Sequence, residues 1–160
     1  MDITKTFRNV EPEKQRQMLN AAIKEFTEKG FERASTNQIV KDAGIGKGML
    51  FYYFTNKKSL YLYLINYCID VIEREYLMEI DYSARDIFER LKNISKVKWM
   101  FLEKHPDMIN FIGRLFLKKP DQLDDEFNSR FKSLHEKWNS ILYKDIDFSL
   151  SIFPYRWTCC

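Results

Sequence analysis

The sequence predicts an all-α protein, and three observations carry that expectation. Seven segments repeat their apolar residues at steps of three and four, the mark of one buried stripe on a helix. No run alternates with period two for long enough to make a strand. Five glycines and four prolines in 160 residues are too few for a collagen-like, disordered or turn-rich β chain. A chain of this length, 45% apolar, can bury one good core divided into two unequal lobes.

The first stripe runs from about Glu13 to Lys29 through Met18, Leu19, Ala22, Ile23 and Phe26. Gly30 then stands where a left-handed residue ends a helix, and Phe31 can fold back onto the last turn. Ser35 opens the second helix, with Gln38 three residues on completing a capping box. That helix turns Ile39, Val40 and Ala43 inward and stops at Gly44 after about two turns, too few to be stable alone. A third short helix is expected from Lys47 to Tyr53, sending Leu50, Phe51 and Phe54 to the core.

Asn56 caps a long fourth helix, with Leu60, Leu64, Cys68, Val71 and Ile72 on one face and an end near Ile80. Ala84, Ile87, Phe88, Leu91 and Ile94 mark a fifth, up to Lys104. His105 is expected as a capping group at the break, and Pro106 suits the first turn of a sixth helix ending near Lys119. Pro120 opens a seventh, along which Leu123, Phe127, Phe131, Leu134, Trp138 and Ile141 keep a 3.6 period; the signal fades after Lys144.

Charge narrows the possible partners. The net charge of +3 is too small to argue for nucleic acid by itself, but residues 1–60 carry a balance of +4 and residues 61–160 one of −1. Cys68 and the terminal pair Cys159–Cys160 form neither a CxxC motif nor a zinc spacing, which fits a reduced cytosolic chain. The N-terminal MDITKTFRNVEPEKQ has no apolar h-region, and SLYLYLINYCIDVI, broken by Asn66 and Asp70, is too short to span a bilayer. A soluble cytoplasmic protein is expected, with no membrane partner.

Catalytic signatures do not emerge. His105 and His135 lie in no metal spacing, and neither GxSxG nor a paired-carboxylate signature accompanies them. Neither an enzyme nor a cofactor or metal is expected, and Asp124-Asp125-Glu126 is read as a solvated patch. Gly44 to Phe54, GIGKGMLFYYF, is not a nucleotide loop, because methionine follows Lys47-Gly48 and no strand precedes them. Two short helices joined by a glycine-containing turn make a helix-turn-helix instead. Ile39, Ala43, Ile45 and Leu50 stand where its two helices must pack together.

Residues from about Gln15 to Leu64 resemble the DNA-binding domain of the TetR/AcrR family of transcriptional regulators. AAIKEFTEKGF and STNQIVKDAGIGKGMLFYYFTNKKSL carry the resemblance. It implies a helix-turn-helix DNA-binding domain over residues 1–56 and a helical ligand-binding and dimerisation domain over residues 57–160. The third helix would enter the major groove, with Lys47 and Met49 at base edges and Gly48 admitting close approach. Thr36, Lys57 and one or both of Tyr52 and Tyr53 would hold phosphates, which set register while base-edge residues specify. Gly46 replaces the family's usual serine or threonine cap, and Met49 a common threonine, so the preferred operator is expected to be this chain's own.

For the remaining two-thirds the resemblance implies a homodimer, a palindromic double-stranded operator and a small-molecule effector, largely apolar. Trp99-Met100-Phe101-Leu102 is apolar all round its helix, and Met108, Phe111, Ile112 and Phe116 follow. Tyr67, Trp99, Phe111, Phe116 and Trp138 are the candidate effector contacts. Family members continue through two further helices that pair as a bundle; here SIFPYRWTCC is expected to be a docked end or the mark of a shortened chain. A ligand-responsive repressor is the reading these features favour. A degenerate relative that binds ligand or protein and hardly binds DNA is the alternative, and salt-titrated DNA binding separates the two. A helical enzyme with a borrowed head would need a convergent polar cluster in the large lobe.

Overall fold

Pro12, whose missing amide is no loss in a helix's first turn, opens α1 (Pro12–Arg33) in the computed structural model, which describes residues 7–117 and 125–146. Gly30 interrupts α1 with φ 71° and ψ 172°, so the regular helix ends at Lys29 and one further turn follows the kink. Its buried stripe is Met18, Leu19, Ala22, Ile23 and Phe26, joined by Ala21 and one carboxylate, Glu25. Phe31 turns back as expected and stacks on Phe26 with 6.3 Å between centroids.

Two seven-residue helices follow, α2 (Thr36–Asp42) and α3 (Lys47–Tyr53). Two turns do not hold in water alone, so both depend on neighbours. α2 lies against α1, and α3 against α2. Phe7, fully buried ahead of α1, packs its ring against Tyr53, Phe54 and Tyr63 and so ties the end of α3 to the next helix. Ser35 caps α2 by accepting the Gln38 amide at 3.4 Å. The returning half of the expected capping box is different: the Gln38 side chain donates to Asp42, and the Ser35 amide donates to Glu25 Oε1 at 2.9 Å. A carboxylate is the stronger acceptor, which explains why an acid sits in the stripe of α1.

α4 (Lys57–Glu75) begins with a capping box between Asn56 and Ser59. It buries Leu60, Leu64, Cys68 and Val71 together with Tyr61, Ile65 and Ile69. Burial pushes the Cys68 thiol up to about 12, so it stays a protonated filler of the core. The helix stops at Glu75, and a 3-10 turn over Leu77–Glu79 takes the place of the expected continuation to Ile80.

α5 (Ile87–Lys104) begins after Ala84, capped by Asp86, which accepts the Glu89 amide at 2.9 Å. Its stripe is rotated from the expected one. Arg90, Ile94 and Phe101 face inward, while Phe88 is 55% and Leu91 42% exposed. Arg90 sets this rotation: its fully buried guanidinium donates to the carbonyls of Tyr82, Ala84 and Lys144. A charge needing that many buried acceptors fixes which side of the helix turns inward.

α6 (Pro106–Leu117) buries Met108, Phe111, Ile112 and Leu115 and packs mainly on α1. α7 (Asp125–Tyr143) meets α4 through a polar seam, with Arg130 bonded to Asn66 and Asp70 at 2.7 Å and Lys137 to Glu73 at 2.6 Å. Among the described residues every regular element is helical, and no helix is long and apolar enough to cross a membrane. Pro120, Leu123, Asp124, Phe153, Trp157, Cys159 and Cys160 lie outside the described residues, as do the side chains of Phe116, Asp125, Glu126, Phe127, Phe131 and Ile141.

The corner where α4, α5 and α6 meet is ionic. His105 closes α5 through its backbone, and its ring meets Glu75 Oε2 at 3.0 Å; Lys104 reaches the same oxygen at 2.7 Å and Arg74 the other at 3.0 Å. Lys104 first, then Arg74 and His105, hold the Glu75 carboxyl at about 2, below its ordinary 4.5. A depressed folded-state pKa contributes stability that is complete above about pH 4.5 and fades as pH falls toward 2. Glu75→Gln is expected to lower unfolding stability by on the order of 2 kcal/mol at pH 7. In urea titrations at stepped pH, the gap between wild type and variant should close across that acid window; a pH-independent gap refutes the assignment.

Candidate nucleic-acid interface

The turn between α2 and α3 is built by backbone alone. Ala43 ends α2, and Gly44 follows with φ 65°. The Gly44 amide donates to Lys41 O at 3.2 Å and the Ile45 amide to Val40 O at 3.0 Å, the paired bonds of a Schellman motif. Ile45 is thereby seated against the core, and Gly46 begins α3 without any side-chain cap. Of the chain's glycines only Gly30 and Gly44 have positive φ, so those two are required by the fold.

Gly46 and Gly48 are not. A Cβ added at either position meets nothing within 4 Å. Gly48 lies within a helix, where glycine costs about 1 kcal/mol relative to alanine and the free protein gains nothing in return. The bare backbone here faces outward. Around it Lys47 is exposed, Met49 half-buried and Tyr52 66% exposed.

Leu50 and Phe54 point into the core as expected. Phe51 does not; it is 38% exposed, and Lys47 Nζ sits 6.0 Å from its ring centroid. Positions 47, 48, 51 and 52 share one face of an α-helix, so a residue next to an inward leucine is turned outward. The signal that sequence reasoning passed over was the four-residue step from Lys47 to Phe51. Tyr53 is half-buried against Phe7 and edge-on to Tyr52 at 5.1 Å. α3 thus presents one cation, bare backbone and two aromatic rings on a single outward surface, and it contains no acid.

Thr36 begins α2, half-buried. Lys57, at the start of α4, turns back into the protein: its Nζ donates to the carbonyls of Glu32 at 3.0 Å and Ala34 at 3.3 Å and lies 4.9 Å from the Phe31 centroid. With Glu25 holding the Ser35 amide, Lys57 brackets the α1–α2 corner from the other side. Both side chains bond main-chain atoms at that corner; Glu25 was missed because its partner lies ten residues away.

In the larger lobe a cavity of about 440 Å³ opens between α4, α5, α6 and α7. Of the four candidate contacts whose side chains are described, Trp138 lines it and the other three do not; Trp138 is stacked on Tyr76 with 5.7 Å between centroids. Phe111 is buried instead in the central core, edge-on to Tyr61 at 5.6 Å, and Tyr67 packs half-buried against the same core. Trp99 is 65% exposed, its indole donating to Glu103 at 2.8 Å. It stands two residues from inward-facing Phe101, about 200° around the helix, so the all-round apolar run does not bring it to the cavity. The Phe116 side chain lies outside the described residues. Phe101, Ile112 and Leu134, which the apolar runs and stripes already held, also line it, and Tyr76 and Leu77, on no predicted stripe, complete that wall. Among the described residues no group of three or more His, Cys, Asp or Glu gathers where a metal ion would sit.

Residues 18–64 match the family described as bacterial regulatory proteins, tetR family. YuxN of Bacillus subtilis (strain 168), an uncharacterised HTH-type transcriptional regulator, is 36% identical over 58 residues, 36% of this chain and 20% of its own length. IcaR of Staphylococcus aureus (strain Newman), a negative transcriptional regulator of the biofilm operon icaADBC, is 32% identical over 70 residues, 44% of this chain and 38% of IcaR. The HTH-type transcriptional regulator RutR of Escherichia coli O157:H7 is 24% identical over 131 residues, 81% of this chain and 60% of RutR. The matches therefore span at most 60% of these relatives' own lengths. A tetR family transcription regulator of Shewanella sp. PV-4 shares the fold, with a TM-score of 0.63 over 82% of this chain and 68% of its own at 17% identity.

Replacing Lys57 separates support from contact. Lys57→Ala is expected to lower unfolding stability by about 1–2 kcal/mol through two lost hydrogen bonds and a lost cation–π contact. The salt dependence of DNA binding should stay nearly unchanged. A slope reduced by about 0.9, the signature of one lost phosphate contact, with stability intact, would place Lys57 on the nucleic acid instead.

Proposed function

We propose that this chain, a member of the tetR family by the DNA-binding domain at residues 18–64, is a ligand-responsive transcriptional repressor acting through a palindromic operator. The observation that carries the DNA-reading role is the outward face of α3, where Gly46 caps the helix with bare backbone and Gly48 leaves the backbone bare inside the helix at a cost the fold does not repay. A large, closely approaching partner gives Gly48 a purpose. With α3 in the major groove, Lys47 and Met49 meet base edges, the methionine suiting a thymine methyl. Tyr52 and Tyr53 approach phosphates on one flank, and Thr36 on the other, at the amide end of α2. Phe51 joins the same surface as an apolar contact.

In this reading residues 1–56 form the DNA-binding domain and residues 57–160 the effector and dimerisation domain. A palindrome needs two recognition helices about 34–36 Å apart, so the active form is a homodimer working in the cytoplasm. A small, largely apolar effector occupies the cavity between α4 and α7 and favours a state whose recognition helices miss that spacing. No cofactor or catalytic step enters.

Salt-titrated binding to a palindromic fragment from the chain's own promoter region tests the reading. Wild type should prefer the palindrome over a scrambled duplex by a large factor; weak binding indifferent to sequence refutes a regulator role. Lys47→Ala should weaken specific binding by about 1–3 kcal/mol. Gly48→Ala has opposite effects on two readouts. It should raise unfolding stability by about 0.5–1 kcal/mol while weakening operator binding at least as strongly as Lys47→Ala. A variant that gains stability and binds DNA normally removes the case for close approach.

A further inference from the structure

The walls of the effector cavity are almost wholly carbon, contributed by residues such as Tyr76, Phe101, Ile112 and Trp138. Two lining residues break that pattern, Lys98 of α5 and His135 of α7, and both are bases. Among the described residues no carboxylate lines it. The contrast with the neighbouring depression is sharp, because Glu75, Glu79 and Asp81 line that one together with Lys96 and Lys104.

The charges around the cavity are also matched unevenly. Glu136, next to His135 on α7, is paired with Lys132, and Glu73 of α4 with Lys137, so both of these acids have their own cations. Among the described residues no ion pair engages Lys98, which is exposed. A lysine stem lies along apolar surface while its ammonium reaches water, which puts the unneutralised charge at the mouth and carbon in the interior.

We propose that the effector is an amphipathic anion, a carboxylate-headed molecule whose apolar body fills the cavity and whose head meets Lys98, with His135 beside it. The proposal rests on the effector-binding reading above and adds the head-group chemistry to it. An apolar body supplies affinity through burial, and the charge at the rim selects among bodies of equal length. A cationic amphiphile meets like charge at Lys98 and is disfavoured.

Calorimetric titration of the full-length protein with linear carboxylates, the primary alcohols of equal length and the matching alkyltrimethylammonium ions, all below micelle formation, tests this. Each added methylene should tighten binding about fourfold in the carboxylate and alcohol series until the cavity is full. Carboxylates should bind about five- to tenfold tighter than alcohols of the same length, and the ammonium ions weakest. Lys98→Ala should erase the advantage of carboxylate over alcohol, and Lys98→Arg should restore it. Because Lys98 is exposed, unfolding curves of the variants should overlay wild type, which excludes a folding defect as the cause. Equal binding of alcohol and carboxylate, or a preference that survives Lys98→Ala, overturns the anion proposal while the effector reading stands. If no series binds at any length, or if occupied protein holds its operator as tightly as empty protein, the effector reading falls and takes this proposal with it.

Discussion

α2 and α3 have seven residues each, and neither keeps its helix in water without a partner. The surface proposed to read DNA therefore exists only while its supports hold. α1 supplies the first, with a stripe from Met18 to Phe26 on which α2 rests. Phe7 and α4 supply the second, clasping Tyr53 and Phe54 at the far end of α3. A third support is polar: the Ser35 amide on Glu25 and the Lys57 amine on two carbonyls lock the corner from which α2 departs. Loss of any one of them changes the aim of α3 without touching α3 itself.

The longer helices were legible because their stripes run over several turns, and some of the boundaries are marked by glycine or proline. Gly30 and Gly44 sit at positive φ where a helix end was expected, and Pro106 stands in the first turn of α6. Errors fell where a single strong interaction overrode periodicity. Phe88 and Leu91 suit a buried stripe, yet the acceptors demanded by Arg90 turn α5 away from them. Gln38 had the right spacing for a capping box, yet a carboxylate from α1 took the Ser35 amide. Phe51 is apolar beside Leu50, but a two-turn helix packed along one side cannot bury both neighbours. These partners lie far off in sequence or on another helix, and a local pattern contains no information about them. The cavity was least legible of all, since Trp138 and Trp99 look alike in composition and differ only in the face they occupy.

In the proposed reading, occupancy of the lobe would reach the head through two packing routes. α6 contributes Ile112 and Gly113 to the cavity wall, and it packs on α1 more extensively than on any other helix. α4 contributes Ile72 and Tyr76 near one end, while Lys57 at the other end grips the α1–α2 corner. Both routes lead to the supports of α2 and α3 and not to α3 directly. An effector that separates α4 from α6 must prefer the displaced arrangement, and by linkage DNA that prefers the original one weakens effector binding by the same factor.

Three polar groups buried or half-buried in this fold, Glu25, Lys57 and Arg90, each bond main-chain atoms across a corner. Apolar replacements of similar size would serve stability about as well, because desolvating a charge offsets much of what its bonds return. Such groups discriminate between geometries. A greasy contact tolerates a small slide or rotation, whereas a guanidinium or ammonium placed between carbonyl oxygens loses its bonds within an ångström or two of movement. A corner held this way has one good arrangement and no gradual route to another. That is the property required of a hinge that must present α3 at a fixed spacing or not at all.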